Sequence, residues 1–251
     1  MRASVPSGVV ASQPPARSYP GVSAKPGPDR SDPLISARAL ADYRAMLELS
    51  DADMAGHILD SPGGGASFAA EVRELGGTVT SVDPAYGRGA DDLGPHVVDE
   101  VDRGNQYVRD NLGIYDWSWF TDPECHRRMR LGGARRFAAD YAAHPDRYLS
   151  GALPALAFED RRFDLVLSSH LLFTYGDRLD LDFHLAAARE LARVSAGEVR
   201  LYPLVTIDSR PYGPLDELRR RLAAAGIASE ERKVPYVFQL GADRCLALSG
   251  P

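Results

Sequence analysis

The chain has 251 residues, of which 44% are hydrophobic, and a formal net charge of −6. That is enough for one full α/β domain with a sizeable core, although two small domains would also fit. The acidic balance excludes an overall basic field that would recruit nucleic acid or an anionic membrane surface.

Residues 1–30 are rich in Pro, Ser, Gly and Ala and show no periodic apolar pattern, which predicts a flexible tail. They also lack the apolar core of a signal peptide, and no segment reaches the roughly 18 consecutive apolar residues of a membrane span. Cys125 and Cys245 are the only cysteines, too few for a disulfide framework and without metal-ligand spacing. A cytoplasmic protein with reduced thiols and no metal is expected. Tyr19 stands out in the tail, either as a chance aromatic or as an anchor that folds over a bound substrate.

A helix is predicted from Ser31-Asp32-Pro33, with Leu34, Ala37, Leu40, Ala41, Met46 and Leu47 as its apolar stripe. Strand 1 is expected at about 56–60, a helix at about 65–75 stopping at Gly76-Gly77, and strand 2 at about 78–82. This alternation implies a parallel sheet. From Asp83 to the next strand, near 147–150, the chain is far longer than a minimal crossover of roughly a dozen residues. The excess, about 88–146, reads as an insertion with helices near 91–112, 115–120 and 122–143, and as the source of substrate specificity. It holds both tryptophans, Trp117 and Trp119, beside Phe120. These form either an aromatic core or a wall of an acceptor pocket. Arg127, Arg128, Arg130, Arg135 and Arg136 read as one solvated helix face, with a local basic patch as the other option.

Strand 4 is expected at 163–168, a helix at about 180–194 and strand 5 at 198–202. A further helix opens at Pro214 and stops at Gly226, and segments 227–233 and 235–249 suggest a closing antiparallel pair. Residues 31–251 thus read as one domain.

The chemistry concentrates in Asp60-Ser61-Pro62-Gly63-Gly64-Gly65 and in Asp83, which ends strand 2. Glycines let backbone approach a ligand without a Cβ in the way. An acid about 20 residues beyond such a turn is placed to accept hydrogen bonds from a ribose diol. A dinucleotide site instead sets a pyrophosphate on a helix N-terminus. Asp60 would repel that group but suit the ammonium of an amino-acid moiety, directly or through a water, which favours S-adenosyl-L-methionine over NAD. In an open parallel sheet, ligands lie at the carboxyl ends of the strands. The loop after Asp60, the turn after Asp83 and the loop after Ser168 therefore face one crevice, with Pro84 beside the nucleoside, Tyr86 either covering the adenine or ribose or simply packing, and Ser168 and Ser169 beside the methionine end.

The D-S-P-G-G-G-A-S-F loop, the Asp83-Pro84 pair and Phe163-Asp164-Leu165-Val166-Leu167-Ser168-Ser169-His170 together resemble the class I S-adenosylmethionine-dependent methyltransferases. The resemblance implies a Rossmann-like, seven-stranded, mostly parallel sheet flanked by helices, with the last strand antiparallel. Many relatives contact adenine through an acid near the end of the third strand. None appears in Ser150–Phe158, so backbone at Ala152 and Leu153 would have to serve. The S-S-H-L-L-F-x-Y, L-D-x-D-F-H and V-P-Y-x-F-Q segments look like a bacterial group of small methyltransferases. Some members methylate indole C3 and trigger pyrroloindoline closure in natural-product biosynthesis.

The segment from Ser168 to His184 is dense in groups that relay protons. His170, His184, Tyr175 and Tyr19 are the candidate catalytic residues, with an imidazole expected near neutral pKa. Asp180 and Asp182 read as helix caps or orienters of His184. The expected partner is a small molecule, indole-containing under the resemblance; oligomeric state stays open, with a homodimer as one option. An O- or N-methyltransferase, an NAD-dependent oxidoreductase and a non-catalytic cofactor-binding module are the rival readings.

Overall fold

The computed structural model describes residues 34–250. Tyr19 and the predicted helix start at Ser31-Asp32-Pro33 lie outside the described residues. Seven strands form one sheet: β1 (His57–Asp60), β2 (Thr78–Val82), β3 (Tyr148–Leu149), β4 (Phe163–Ser169), β5 (Ser195–Tyr202), β6 (Ala228–Lys233) and β7 (Arg244–Ser249). Their order is β3-β2-β1-β4-β5-β7-β6. Strands β1 to β5 pair in parallel, and β7 runs antiparallel to both β5 and β6. The Rossmann-like fold expected from the sequence is the fold observed.

Successive residues of a strand point to opposite faces, so a central parallel strand needs apolar residues at every position. Ile58, Leu165 and Leu167 enter one buried cluster, with Phe68, Phe137 and Tyr141. Leu59 and Val166, their immediate neighbours, enter the other, with Leu191 and Leu218. The first face is covered by α1 (Leu40–Leu47), α2 (Phe68–Glu74) and the long pair α3 (Ala90–Asp110) and α4 (Pro123–Ala143). The second is covered by α5 (Leu181–Val194) and α6 (Leu215–Ala224). No helix among the described residues is long and apolar enough to cross a membrane.

Three predicted elements are corrected. Residues 34–39 are not helical, and α1 begins only at Leu40, where the Asp42 carboxylate accepts from Ala39 N at 3.1 Å. The Ser36 and Arg38 carbonyls, which a helix would use internally, accept instead from Gly65 N at 3.3 Å and Ser67 N at 2.9 Å, so this segment is a strap across the glycine loop. Residues 115–120 form no helix. Asp116 N donates to Phe238 O at 2.7 Å, and the rings of Trp117 and Phe120 pack edge-on against Phe238. The last strand starts at Arg244 rather than 235, because 234–243 leaves the sheet to pair with the insertion, as in Leu240 N to Ile114 O at 2.9 Å.

Candidate functional site

A cavity of about 370 Å³ opens at the carboxyl ends of β1, β2 and β4 under the 34–38 strap. It gathers Pro62, Gly63 and Gly64 from the loop after β1 with Asp83 and Pro84 after β2. Ala152 and Leu153 after β3, with Ser169 and His170 at the end of β4, close the other side.

The backbone of the glycine loop is fully engaged by the protein. Gly63 N donates to Val82 O at 3.0 Å, Gly64 N to Asp83 Oδ2 at 3.0 Å, Gly65 N to Ser36 O, Ala66 N to Gly63 O at 3.2 Å and Ser67 N to Arg38 O. No N–H from Gly63 to Ser67 is left to receive a phosphate. Asp83 also accepts from Ala85 N at 2.9 Å, so its carboxylate both caps the turn after β2 and ties it to Gly64. Burial raises its pKa, against the opposing backbone donors.

The three glycines serve different ends. Gly64 has φ +52°, a left-handed conformation that favours glycine. A Cβ at Gly63 would meet the Tyr86 hydroxyl at 2.4 Å, and one at Gly65 would meet Val97 Cγ1 at 2.2 Å. Those two make room for the protein's own packing. The expectation that Gly65 faces a ligand is therefore corrected. For Tyr86 the packing alternative applies: it is buried among Phe137, Tyr141 and Tyr148 and donates to Gly64 O at 2.9 Å, bracing the loop from behind. Ser168 is likewise buried in β4 and does not line the cavity.

Asp60 also sits behind the wall, 1% exposed. Its Oδ2 accepts from the Tyr43 hydroxyl at 2.9 Å, and its Oδ1 has no hydrogen-bond partner among the described residues. Burial, with the charge of Asp83 adding to it and the Tyr43 bond opposing, pushes its pKa up to about 8. Tyr43 lines the cavity and stacks on Phe68 at 4.3 Å, linking the buried carboxyl to the open space.

A second cavity of about 150 Å³ continues inward between α3, α4 and the loops after β4 and β5. Arg38, His170 and Tyr175 line both cavities and mark their junction. His170 has φ 55°, donates its backbone N–H to Tyr202 O at 2.7 Å and leaves a buried Nδ1 without a partner among the described residues. Burial, then the charges of Arg38 and Arg130, hold its pKa well below the usual imidazole range. This overturns the expectation of a near-neutral pKa. Tyr175 lies under the Arg178 guanidinium at 5.2 Å, and burial raises its pKa.

His184 is not at the site. It is fully buried, with Nδ1 2.7 Å from Asp180 O and Nε2 2.9 Å from Leu172 O, and it stacks on Tyr212. The ring thus lies between the N-cap of α5 and the loop after β4, away from both cavities, so its candidacy as a catalytic residue is withdrawn. The Asp180 carboxylate caps α5 through Phe183 N at 2.8 Å, and Asp182 pairs with Arg221 at 2.9 Å. Neither carboxylate orients His184.

Sequence reasoning missed Arg38, His126 and Arg130, all of which line the inner cavity. Arg130 is buried, pairs with Asp42 at 2.6 Å and donates to the Tyr236 hydroxyl at 3.2 Å. Arg127 pairs with Asp102 at 2.6 Å in solvent, so the solvated-face reading holds for part of the arginine cluster and fails for Arg130. The i, i+4 spacing of His126 and Arg130 was the available signal. Trp117, Trp119 and Phe120 do not line the cavity; Trp119 Nε1 donates to Asp42 at 3.0 Å, and Phe120 is fully buried. The core reading applies to them. The aromatic wall comes instead from Tyr115, stacked on Phe238 at 4.5 Å, with Tyr202 and Tyr236.

No protein-family model matches the chain. A curated relative, an uncharacterized protein of Methanocaldococcus jannaschii, is 25% identical over 218 residues, 86% of this chain and 96% of its own length. Among solved structures, the magnesium protoporphyrin IX methyltransferase of Synechocystis with bound SAM is 13% identical, covering 80% of this chain and 73% of that one at a TM-score of 0.44. The 1,6-didemethyltoxoflavin-N1-methyltransferase of Burkholderia thailandensis is 16% identical, covering 83% and 78% at a TM-score of 0.42. At those scores the likenesses assign no chemistry to this chain.

Proposed function

We propose that the protein is an S-adenosyl-L-methionine-dependent methyltransferase acting on a small molecule, with residues 31–251 as its one catalytic domain. The observation that carries this reading is the fully engaged glycine loop beside a buried carboxyl with one unpartnered oxygen. A diphosphate needs free backbone N–H groups, and here all five from Gly63 to Ser67 are taken. A cation needs a carboxylate, and Asp60 Oδ1 is poised to become one.

The residues present fit the cofactor. Asp60 would answer its ammonium, through Tyr43 or a water, and Arg38 its carboxylate. Pro62, Gly63, Gly64 and Ser169 would hold the methionine portion, with Gly65 and Ser168 shaping the wall behind them. Asp83 retains lone pairs for the ribose diol, with Tyr86 as a brace. Pro84 and the backbone of Ala152 and Leu153 would flank the adenine. When bound, the sulfonium supplies an activated methyl group, so the protein's task is mainly alignment and exclusion of water. His170 and Tyr175 stand where the two cavities meet. A neutral His170 can take a proton from the acceptor only as it leaves, and the Tyr175 hydroxyl can orient the reacting atom. Tyr19 remains a further candidate to remove that proton.

For the acceptor, the finer reading is C3 methylation of an indole with closure to a pyrroloindoline in natural-product biosynthesis. The stacked Tyr115 and Phe238 support a planar ring. Methylation at O or N of another small metabolite is equally compatible with the site. Calorimetry with S-adenosylhomocysteine and NAD tests the cofactor, and uptake of NAD alone would reverse the reading. Incubation with S-adenosylmethionine and tryptophan-derived acceptors tests the chemistry. A product heavier by one methyl and lacking indole absorbance marks C3 attack; one retaining that absorbance marks attack at O or N.

A further inference from the structure

The inner cavity carries polar chemistry that methyl transfer does not itself require. His126 and Arg130 lie one turn apart on α4, and Arg130 Nε–H donates to His126 Nε2 at 3.2 Å. An imidazole nitrogen that accepts a hydrogen bond carries no proton, so the proton of the neutral ring is on Nδ1. The ring is neutral because burial, then Arg130 and Arg38, push its pKa down to about 2. His126 Nδ1–H is therefore a fixed donor. It is buried and has no partner among the described residues.

Buried donors are rarely left unmet, so one carried by a residue that lines a cavity is a candidate to receive an acceptor bound there. Thr174 Oγ1 and Arg38 Nε, from two other residues of the same wall, are also buried and have no partner among the described residues. The field agrees in sign, since Arg38 and Arg130 both disfavour protonation of His126 and of His170, with Asp42 offsetting part of the Arg130 charge. Glu100 is the only carboxylate among the described residues that line it, and Arg103 is paired with it. At about 150 Å³ the cavity has room for roughly one aromatic ring.

We propose that this cavity binds a small planar aromatic carboxylate, its oxyanion received by His126 Nδ1–H and its ring held against Tyr115 and Phe238. The proposal deepens the methyltransferase reading in its O-methylation form, not its indole form, and rests on it: a hydroxyl oxygen at the far edge of the ring, on the side of His170 and Tyr175, would take the methyl as the S–CH3 bond breaks, with S-adenosylhomocysteine as the leaving group and the hydroxyl proton passing to water.

The test is isothermal titration of 4-hydroxybenzoate, 4-hydroxybenzamide and 4-hydroxybenzylamine into the full chain, with and without saturating S-adenosylhomocysteine. The acid is expected to bind about ten-fold more tightly than the amide, the increment of a charge-assisted hydrogen bond, and the amine not at all. His126→Phe keeps a ring on Phe238 but deletes the donor, and should abolish the preference. His126→Asn places an amide N–H near the Nδ1 position and should retain much of it. Equal binding of acid and amide, a preference that survives in His126→Phe, or no binding of any probe at millimolar concentration would overturn the proposal. The arm without S-adenosylhomocysteine separates two failures. Lack of uptake of that nucleoside sinks the methyltransferase reading, while the acid-to-amide ratio decides the cavity chemistry independently.

Discussion

The Tyr43 hydroxyl donates to Asp60 Oδ2 at 2.9 Å, behind the glycine loop, while the other oxygen of the same carboxyl has no partner among the described residues. One half of the group is satisfied and the other is held in reserve. With its pKa at about 8, Asp60 is largely protonated near neutral pH until a cation approaches.

Ligand binding should therefore release a proton. The affinity for S-adenosylhomocysteine, which keeps the ammonium, is expected to rise as pH increases from about 6 to 8, because the carboxylate that receives the ammonium becomes easier to form. Calorimetry in buffers of different ionisation enthalpy reads the proton directly; no release at pH 7 would remove Asp60 from the site.

The same shift makes a stability prediction of defined sign. Asp60 has a folded pKa raised from 3.8 to about 8, so the folded state holds more protons than the unfolded state between those values. Its contribution to stability is complete below about pH 4 and is lost as pH rises through 8. Relative to Asp60→Asn, the wild-type protein should lose melting temperature over that interval, while the variant binds S-adenosylhomocysteine more weakly. A difference between the two that stays constant with pH would refute the assignment.

The glycine loop yields a paired test. Gly65→Ala drives a methyl group to 2.2 Å from Val97 Cγ1 and should cost about 1–3 kcal/mol in urea unfolding. Val97→Ala in the same chain should recover part of that loss. Gly63→Ala meets the Tyr86 hydroxyl, and Tyr86→Phe should relieve it in the same way. Absence of coupling in either double-mutant cycle would contradict the packing described.

His170 should remain neutral. Its imidazole nitrogens, followed by NMR, are expected to show no protonation as pH falls from about 8 to 6, since burial and two guanidiniums oppose the charge. A pH–rate profile with an inflection near 6.5 that disappears in His170→Asn would show instead that the ring titrates as an ordinary base.

His184 offers the complementary outcome. His184→Asn removes a buried ring set between two carbonyl oxygens, to one of which its single N–H donates, and should lower stability by about 1–3 kcal/mol. Turnover of the folded fraction should be unchanged, as the ring does not reach either cavity. Loss of turnover without loss of stability would return it to the catalytic set.

Short apolar runs such as 165–167 and glycine stops such as Gly76-Gly77 are local signals, which is why the strands, the long insertion and the acid-flanked glycine loop were legible from the chain alone. Pro62, Gly63, Gly64, Asp83, Ala152, Leu153 and Ser169 were placed together for the same reason: sheet topology carries loop ends to one edge. The errors arose where burial or distant neighbours decide. Nothing local distinguishes His184, held between two carbonyls, from His170 at a cavity junction. Nothing local marks Arg130 as the one arginine of its cluster that turns inward to Asp42, 88 positions away. The sequence by itself determined the sheet, the loop and the two carboxyl groups beside it, because periodicity and turn chemistry are written within a few residues. Only the tertiary structure decided which oxygen of Asp60 lacks a partner, which imidazoles stay neutral and which side chains wall the inner cavity, because desolvation and field depend on atoms that the chain brings together only by folding.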